Sequence, residues 1–315
     1  MKKQTDYFSD PSALSMPWVE SPFFYELLKN MNLTNQHRDM AIKYHEEGYV
    51  VLDLDLSDTF INSLILDVKH LLSSGEANRQ TEYEYTESPR PFQMWKKSKF
   101  VRDLATNRKI MDSLDFLYGR SCFPFSTINF LKGTEQPLHS DTIHFHSVPQ
   151  LWMAGVWVAF EDMDENNGTL RVVPGSHKWG TYEYHDLKLP HPDSIEDGYK
   201  LNYTKYEHFV RSMMKAKNAK EKPVVIKKGQ ALIWAANLLH GGVQIVDKDR
   251  TRKSQALHYF FEGCEKYYSP MFSNPYRGEY AEKWCNPKNN IVTMSAAGQC
   301  SSVVIEGTNE HLHKK

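Results

Sequence analysis

Six short apolar segments between residues 122 and 263 constrain the fold of this chain more than any other feature. They are rich in β-branched and aromatic residues, and Gly, Pro, Asp or Asn interrupts them: CFPFSTINFLKG, LWMAGVWVAFED, TLRVVPG, PVVIKKGQALIWAA, GGVQIV and SQALHYFFEG. Many short strands at close spacing are typical of a β-sandwich or barrel, whereas a doubly wound sheet has a helix between successive strands. We therefore expect a mainly β core.

A helical pattern precedes these segments. We predict a helix from Asn35 that stops at Gly48, a strand over 49–56, a helix over 57–75 and a further helix near 101–119. The first third of the chain should therefore be mostly helical.

Composition and charge narrow the class of protein. The 315 residues are 40 % hydrophobic and 24 % charged with a formal net charge of −1, so nothing indicates binding to nucleic acid or to an anionic membrane. The first residues do not resemble a signal peptide, and no apolar run is long enough to span a bilayer. The four cysteines form no CxxC pair, and we expect reduced thiols in a cytoplasmic protein.

The stretch EQPLHSDTIHFHS at 135–147 contains three histidines and an aspartate. If LHSDT is extended, its side chains alternate, so His139 and Asp141 point to one side and could grip one ion. Two polar residues at a strand end are an equally good explanation of this pair alone. His144 and His146 have the opposite parity, and we expect them at a rim or on the surface.

His240, in GQALIWAANLLHGG, is a third candidate ligand. Two histidines and one carboxylate on one face of an ion leave other coordination positions open, as in the facial triad of non-haem Fe(II) oxygenases. Catalysis needs such positions, whereas a closed set of four ligands is typical of a structural metal. We expect His177 to fix a loop and His258 to lie in the core or behind the ligands.

Arg252 precedes SQALHYFF, in which Ser254, Ala256 and His258 share its parity. An arginine directed into a β core is costly unless an anion meets it, and a dicarboxylate would do so. Arg250, in the polar turn DKDRT, is expected to be solvated.

Four motifs occur in order over roughly residues 120–265: LHSD, VWVAFEDMDENNGTLRVVPGSHKWG, GQALIWAANLLHGG and RKSQALHYFFEG. With this set the chain resembles the phytanoyl-CoA dioxygenase family of Fe(II)- and 2-oxoglutarate-dependent oxygenases. The resemblance implies a mainly β fold with flanking helices (α+β), a double-stranded β-helix or cupin-like jelly-roll barrel with iron at its mouth. It implies Fe(II), the cosubstrate 2-oxoglutarate and O2 as cofactors.

The resemblance also assigns roles to residues. The implied catalytic and cofactor-binding residues are His139, Asp141, His240, Arg252, Trp157 and Asn129. The first three hold the iron, and Arg252, twelve positions after His240, meets the far carboxylate of 2-oxoglutarate. Trp157 lies near the cosubstrate, and Asn129 is placed to hydrogen-bond it.

One position departs from the family pattern. Many members have a serine two residues after the distal histidine, where this chain has Gly242. Since that serine helps to hold the cosubstrate carboxylate, Arg252 must here work with another donor or with water. Halogenases of the family have a small residue in place of the metal carboxylate, so Asp141 favours hydroxylation.

We expect one domain over residues 1–315, with a mostly helical flank at 1–120, a jelly-roll core at 121–265 and a C-terminal segment at 266–315. The core is interrupted at 178–222 by a charged and aromatic insertion with a helix-like run, which we interpret as a lid. A solvated surface helix is the other interpretation.

The expected reaction hydroxylates a C–H bond of a small metabolite with release of succinate and CO2. Basic and aromatic residues of the insertion favour a polar or anionic substrate. Two alternatives remain open: a zinc-dependent hydrolase on the same two-histidine, one-aspartate site, and a barrel that binds metal without turnover. The sequence predicts neither the substrate's identity nor the oligomeric state.

Overall fold

The computed structural model describes residues 14–76, 79–80, 90–190, 201–273, 290–294 and 300–304. The α-helices are α1 (Phe24–Asn30), α2 (Asn35–Glu47), α3 (Asp58–Ser73), α4 (Lys99–Ala105), α5 (Arg108–Tyr118) and α6 (Tyr203–Ala216). The strands are β1 (Tyr49–Asp53), β2 (Arg79–Gln80), β3 (Arg90–Pro91), β4 (Cys122–Phe130), β5 (His146–Val148), β6 (Met153–Ala159), β7 (Leu170–Val172), β8 (Lys222–Pro223), β9 (Gln230–Ala235), β10 (His240–Gly242), β11 (Ser254–Phe261), β12 (Lys266–Tyr268), β13 (Asn290–Met294) and β14 (Cys300–Val304).

The largest sheet has five antiparallel strands in the order β1–β9–β6–β11–β4. A smaller sheet has the order β10–β7–β8, and β5 pairs with β12. Neighbours in both main sheets are distant in sequence, as is typical of a jelly roll. The predicted fold class is therefore confirmed: a mainly β jelly roll with flanking helices.

One face of the large sheet packs on the amino-terminal helices. Leu257 and Tyr259 of β11 share an apolar cluster with Leu114 of α5. The Tyr259 hydroxyl also donates to the Ala105 carbonyl at the end of α4. The helical flank thus covers this face and removes it from water.

The other face of the large sheet, which we call the inner face, carries Trp157, Trp234, Ala256 and His258. Trp157, Trp234 and Ala256 pack with Val172 of the small sheet. Because side chains alternate along β11, His258 lies on the same face as Ala256. The inner face therefore presents residues to the space between the two sheets.

Local signals account for the helix bounds. Thr34 caps α2 by accepting from the His37 N–H, and the helix ends before Gly48 at φ +83°. The single helix predicted near 101–119 is wrong, because the chain forms two helices there. Asn107 begins the second by accepting from the N–H groups of Lys109 and Ile110.

The insertion packs onto the core through α6. Tyr203, Tyr206 and Val210 of this helix are buried with Leu138 and Leu239, which flank the candidate ligands. The helix predicted within the insertion is confirmed. The face of α6 that carries these three residues is buried, so the helix is not solvated on that face. Residues 191–200 lie outside the described part of the chain. A lid movement stays a prediction.

Two further predictions concern the setting of the protein. Cys122 and Cys264 are free thiols. Within the described residues, no helix combines the length and apolar character that crossing a membrane requires. The cytoplasmic location stays a prediction.

Candidate active site

His139, Asp141 and His240 converge at one buried point. The backbone N–H groups of His139 and His240 each donate to the other's carbonyl at 2.9 Å. One candidate ligand atom from each of the three residues lies within 4.8 Å of the others. Asp141 Oδ1 is 3.9 Å from His139 Nε2 and 3.7 Å from His240 Nε2. Two imidazole nitrogens and a carboxylate oxygen at this spacing fit a divalent ion between them.

Asp141 reaches this point through a turn. The bridge to His240 holds the chain extended at His139, whereas Asp141 begins a short 3-10 helix that ends at Ile143. The Ser140 hydroxyl caps this helix by accepting from the Thr142 N–H. The structure therefore brings the predicted pair together, but the predicted reason is wrong, because a turn and not strand alternation aligns the two side chains.

The two histidines present the same ring nitrogen to the site. Nδ1 of His139 lies 3.0 Å from the Pro137 carbonyl oxygen, and Nδ1 of His240 lies 3.0 Å from that of Leu238. A carbonyl can only accept, so Nδ1 carries the proton and Nε2 keeps a lone pair. Burial, followed by the charge of His240, lowers the pKa of His139 well below its usual value. The imidazole is therefore neutral, as a ligand must be.

The two oxygens of Asp141 have different neighbours. Oδ1 faces the two candidate ligand histidines, while Oδ2 accepts a hydrogen bond from Trp234 Nε1 at 2.8 Å and lies 3.8 Å from His258 Nε2. Burial raises the pKa of Asp141, but His240, His258 and His139 together lower it by more than burial raises it. The pKa therefore lies below its usual value, and the carboxyl is ionised. One oxygen is thus available to an ion and the other is held away.

Trp234 was missed by the sequence analysis. It lies on the inner face, where Gly155 of the neighbouring strand is its register partner. A Cβ at Gly155 would overlap the Trp234 ring, so only glycine lets the indole lie across β6. The glycine in WMAGVWV was the available signal, but a glycine in a strand does not say which ring crosses it.

Arg252 lies just before β11 and is 1 % exposed. Its guanidinium carbon is 5.0 Å from the centre of the Phe130 ring and 5.3 Å from that of Trp157. Nε and Nη1 are buried, and neither has a hydrogen-bond partner within the described ranges. Burial and then Arg90 lower the pKa of Arg252 to about 9, so it is charged at neutral pH. A buried cation in this state fits an anion site.

Three further polar atoms on the inner face of the large sheet also have no hydrogen-bond partner within the described part of the chain. Ser126 Oγ, Trp157 Nε1 and His258 Nδ1 are buried, and no residue described in the structure bonds them. Ser126 pairs with His258 across β4 and β11, and Trp157 pairs with Ala256. This side therefore offers more hydrogen bonds than the protein uses, which fits a polar organic acid such as 2-oxoglutarate.

Asn129 does not face this interior, and its predicted contact with the cosubstrate stays a prediction that this placement does not support. It pairs in register with Gln255, and its Nδ2 donates to Gln255 Oε1 at 3.0 Å. Gln255 Nε2 in turn donates to the Val101 carbonyl of α4 at 3.2 Å. Both side chains therefore lie on the helix-covered face, since a shift of one residue along a strand reverses the face.

The remaining histidines of the 135–147 stretch are buried, so their predicted place at a rim or surface is wrong. His144 Nε2 lies 3.3 Å from the Tyr203 hydroxyl, and its Nδ1 lies 3.0 Å from Met271 Sδ. His146 Nδ1 lies 2.8 Å from Glu183 Oε1. Tyr203 and Glu183 belong to the insertion, which covers a side that the strand pattern alone leaves open.

Two predictions for neighbouring residues agree with the structure. His177 Nε2 lies 3.0 Å from the His45 carbonyl oxygen, a contact that ties the loop at His177 to α2. Arg250 forms two hydrogen bonds with Asp164, at 2.9 and 2.7 Å, in a partly exposed turn. Neither residue is in the group that could hold an ion.

Comparisons with known proteins point in one direction. The sequence model of the phytanoyl-CoA dioxygenase family matches residues 44–253. Peroxisomal phytanoyl-CoA dioxygenase from Mus musculus is 29 % identical over 142 residues, which cover 42 % of this chain and 36 % of that protein. Ectoine dioxygenase from Sphingopyxis alaskensis is 25 % identical over 216 residues, which cover 64 % of this chain and 68 % of that protein. The chain thus spans little more than a third of the phytanoyl-CoA dioxygenases it matches.

Solved structures show the same fold. The epimerase SnoN from nogalamycin biosynthesis, in complex with Fe3+, α-ketoglutarate and nogalamycin RO, has a TM-score of 0.57 and 19 % identity, covering 80 % of this chain and 93 % of that one. EctD from S. alaskensis, with 2-oxoglutarate and 5-hydroxyectoine, has a TM-score of 0.54 and 19 % identity, covering 74 % and 77 %. At these identities the likeness concerns the fold.

Proposed function

The chain belongs to the phytanoyl-CoA dioxygenase family, whose members are Fe(II)- and 2-oxoglutarate-dependent dioxygenases, and we propose that it has this activity. The observation that carries the proposal is Arg252, a buried cation without a described partner for Nε or Nη1. A metal site alone is compatible with several functions. A metal site together with a buried arginine that fits an organic acid favours this one.

In this proposal His139, Asp141 and His240 hold the iron. Iron and 2-oxoglutarate, when bound, supply the oxidative chemistry in which O2 is consumed and succinate and CO2 are released. The carbonyl groups behind His139 and His240 fix the tautomer and orientation of both rings. Trp234 holds the second oxygen of Asp141, so the residue contributes one ligand atom and leaves more positions open.

Arg252 binds the far carboxylate of the cosubstrate. Its planar guanidinium donates two parallel hydrogen bonds to a carboxylate, and the Phe130 and Trp157 rings beside it restrict its orientation. Burial strengthens this contact because no water competes for it. The negative charge of the cosubstrate carboxylate in turn pairs with the buried positive charge of Arg252, for whose Nε and Nη1 the described protein provides no partner.

The insertion closes one side of the site and excludes water. The Ser140 N–H, between two of the candidate ligands, donates to the Tyr206 hydroxyl at 3.1 Å. Tyr203 packs its ring edge-on to His139, with 6.4 Å between ring centres. We propose that a small polar or anionic metabolite binds at this wall and is hydroxylated at a C–H bond. The polar side chains of His144, His146 and Glu183 on the same side support that substrate class.

Succinate formation tests the proposal. Purified protein is incubated with Fe(II), 2-oxoglutarate and O2 alone and with panels of polar, anionic and thioester metabolites. We expect Fe(II)-dependent succinate that at least one compound stimulates and that Asp141→Ala abolishes. Hydrolysis with Zn(II) and no succinate would favour the hydrolase. Binding of metal and cosubstrate without any turnover would favour the non-catalytic barrel.

A further inference from the structure

Gly242 stands where many family members have a serine, and the structure shows what occupies the place of that side chain. A Cβ at Gly242 would meet the backbone nitrogens of Glu135 and Gln136 at 2.8 and 2.9 Å. The Gly242 N–H donates to the Gln136 carbonyl at 2.8 Å. Backbone of residues 135–136 therefore fills the volume that a serine needs. Glu135 and Gln136 are therefore the residues whose side chains start at this position.

Of the two, only Gln136 reaches the metal side. Glu135 is exposed, and its Oε1 accepts from the Ile245 N–H at 2.7 Å, away from the ligands. Gln136 is half-buried, and its amide nitrogen lies 3.3 Å from His139 Nε2. The same side chain hydrogen-bonds with the Tyr203 hydroxyl. The amide thus lies between the insertion and a candidate ligand.

The position of this amide follows from the tautomer of His139. Because Nδ1 carries the proton toward Pro137, Nε2 is the nitrogen with the lone pair, and it faces Asp141 Oδ1. A nitrogen that gives its lone pair to a metal cannot also accept a hydrogen bond. An ion and the Gln136 amide are therefore alternatives at this atom. With an ion bound, the amide would keep its hydrogen bond with Tyr203 and have a second N–H available to donate beside the ion.

We propose that Gln136 is a cosubstrate-positioning residue, whose amide donates a hydrogen bond to the keto acid bound at the open metal positions. This inference rests on the proposed function. It places a side-chain donor at the metal end of the cosubstrate, whereas the serine that many family members have at the position of Gly242 acts at the carboxylate that Arg252 meets. It also explains why the insertion approaches His139, since Tyr203 sets the place of the amide as well as covering the ring.

The test compares Gln136→Leu and Gln136→Glu with wild type. Gln230→Leu is the matched control, because the Gln230 amide accepts from the Lys227 N–H in the turn before β9. Cosubstrate affinity is measured anaerobically with Fe(II) from the visible charge-transfer band of the chelated keto acid. Metal affinity is measured separately with Mn(II) by electron paramagnetic resonance, without cosubstrate.

We expect Gln136→Leu to bind 2-oxoglutarate roughly ten-fold more weakly, the loss of about one hydrogen bond to a charged group. Its Mn(II) affinity should be unchanged or higher, because nothing then competes for His139 Nε2. Gln136→Glu should bind Mn(II) more tightly, through an added carboxylate oxygen, and 2-oxoglutarate still more weakly through charge repulsion. Gln230→Leu should alter neither affinity.

Three results would overturn the inference. A wild-type band with an unchanged 2-oxoglutarate affinity in Gln136→Leu removes Gln136 from the cosubstrate site and leaves the proposed function standing. A parallel loss of Mn(II) affinity in Gln136→Leu means that the residue only supports the loop. The lack of a band in wild type with bound Fe(II) contradicts the proposed function itself, and this inference with it.

Discussion

Arg250 and Arg252 are two residues apart and lie in regions that treat charge in opposite ways. In the charged turn, residues 247–251, Arg250 is 35 % exposed at its side chain and pairs with Asp164 through two hydrogen bonds. At the inner side of the large sheet, Arg252 is 1 % exposed, and its Nε and Nη1 have no partner among the described residues. The charge of Arg250 is paired within the protein, whereas Arg252 has N–H groups left for a ligand. This unpaired, buried charge is why we propose Arg252, and not Arg250, as the functional arginine.

Of all the substitutions, removal of the Asp141 carboxylate should have the largest effect on activity. Asp141→Ala deletes the single charged group among the three candidate ligands. Outer partners of metal ligands are worth roughly 10–100-fold in affinity, so loss of the ligand itself should cost more and abolish turnover. Fe(II) binding and succinate formation measure this.

Asp164→Ala is the control from the charged turn, and it should retain turnover. Unchanged succinate formation in Asp141→Ala, or equal losses in both variants, would remove Asp141 from the site.

Arg252→Ala separates function from stability. Cosubstrate binding should weaken by about 3–5 kcal/mol, because the far carboxylate loses a buried partner. The free energy of unfolding of the ligand-free protein should not fall, since the variant removes a buried cation whose desolvation is uncompensated. Titration with 2-oxoglutarate and urea unfolding measure the two quantities. A large loss of stability together with unchanged binding would make Arg252 a structural residue.

His177 is buried like the candidate ligands, but its Nε2 lies beside the His45 carbonyl oxygen. It therefore shows what burial does to a histidine that has no predicted role at the metal. Burial lowers the pKa of His177 to about 4. With about 6.5 in the unfolded chain, the unfolded state takes up the proton first as the pH falls. The contribution to stability is therefore full above pH 6.5 and is lost toward pH 4, by about 3 kcal/mol.

Replacement of His177 by Asn should make the stability of the protein less dependent on pH by this amount, measured by urea unfolding at a series of pH values. Metal binding should stay intact. Loss of Fe(II) binding in this variant would place His177, rather than a residue of the triad, at the ion.

Trp234→Phe sharpens the account of Asp141. The variant keeps an aromatic ring but removes the N–H that holds Oδ2, so metal affinity should fall roughly ten-fold. Trp152→Phe is a matched control, because the Trp152 indole N–H is buried without a partner in the described structure. Mn(II) titration of both variants measures the difference. Equal affinities would mean that Trp234 only fills space.

Arg250→Ala should have the smallest effect. Its ion pair with Asp164 is partly exposed and screened by solvent, so its loss should change the free energy of unfolding little. Cosubstrate affinity should not change. A greater loss of 2-oxoglutarate binding here than in Arg252→Ala would exchange the roles of the two arginines and break the comparison.

The sequence was sufficient for the features that repeat or that carry motif chemistry. Strand-length segments predicted the jelly roll. The motifs singled out His139, Asp141 and His240, which the structure brings together, and Arg252, which it buries. Asn129 was misplaced because its role depends on strand parity, and no local signal fixes the face of β4. Whether Asn129, Trp157 or Arg252 contacts a cosubstrate is a question for binding experiments.

Residues that depend on contacts distant in sequence could not be predicted. Trp234 meets Asp141 across 93 positions of the chain. The burial of His144 and His146 depends on an insertion whose path over the core has no sequence signature. The break between α4 and α5 was missed for a local reason. Asn107 caps α5, and this favours the start of a new helix over the continuation of α4.

The central claim is that the candidate triad and Arg252 form one cosubstrate site, and an anaerobic titration with Fe(II) followed by 2-oxoglutarate tests it most directly. We predict a visible charge-transfer band in wild type and in Arg250→Ala. The band should be lost in the His139→Ala and His240→Ala variants and should need far more 2-oxoglutarate in Arg252→Ala. Iron binding with no band at any 2-oxoglutarate concentration, or the same titration curve in wild type and Arg252→Ala, would contradict the claim.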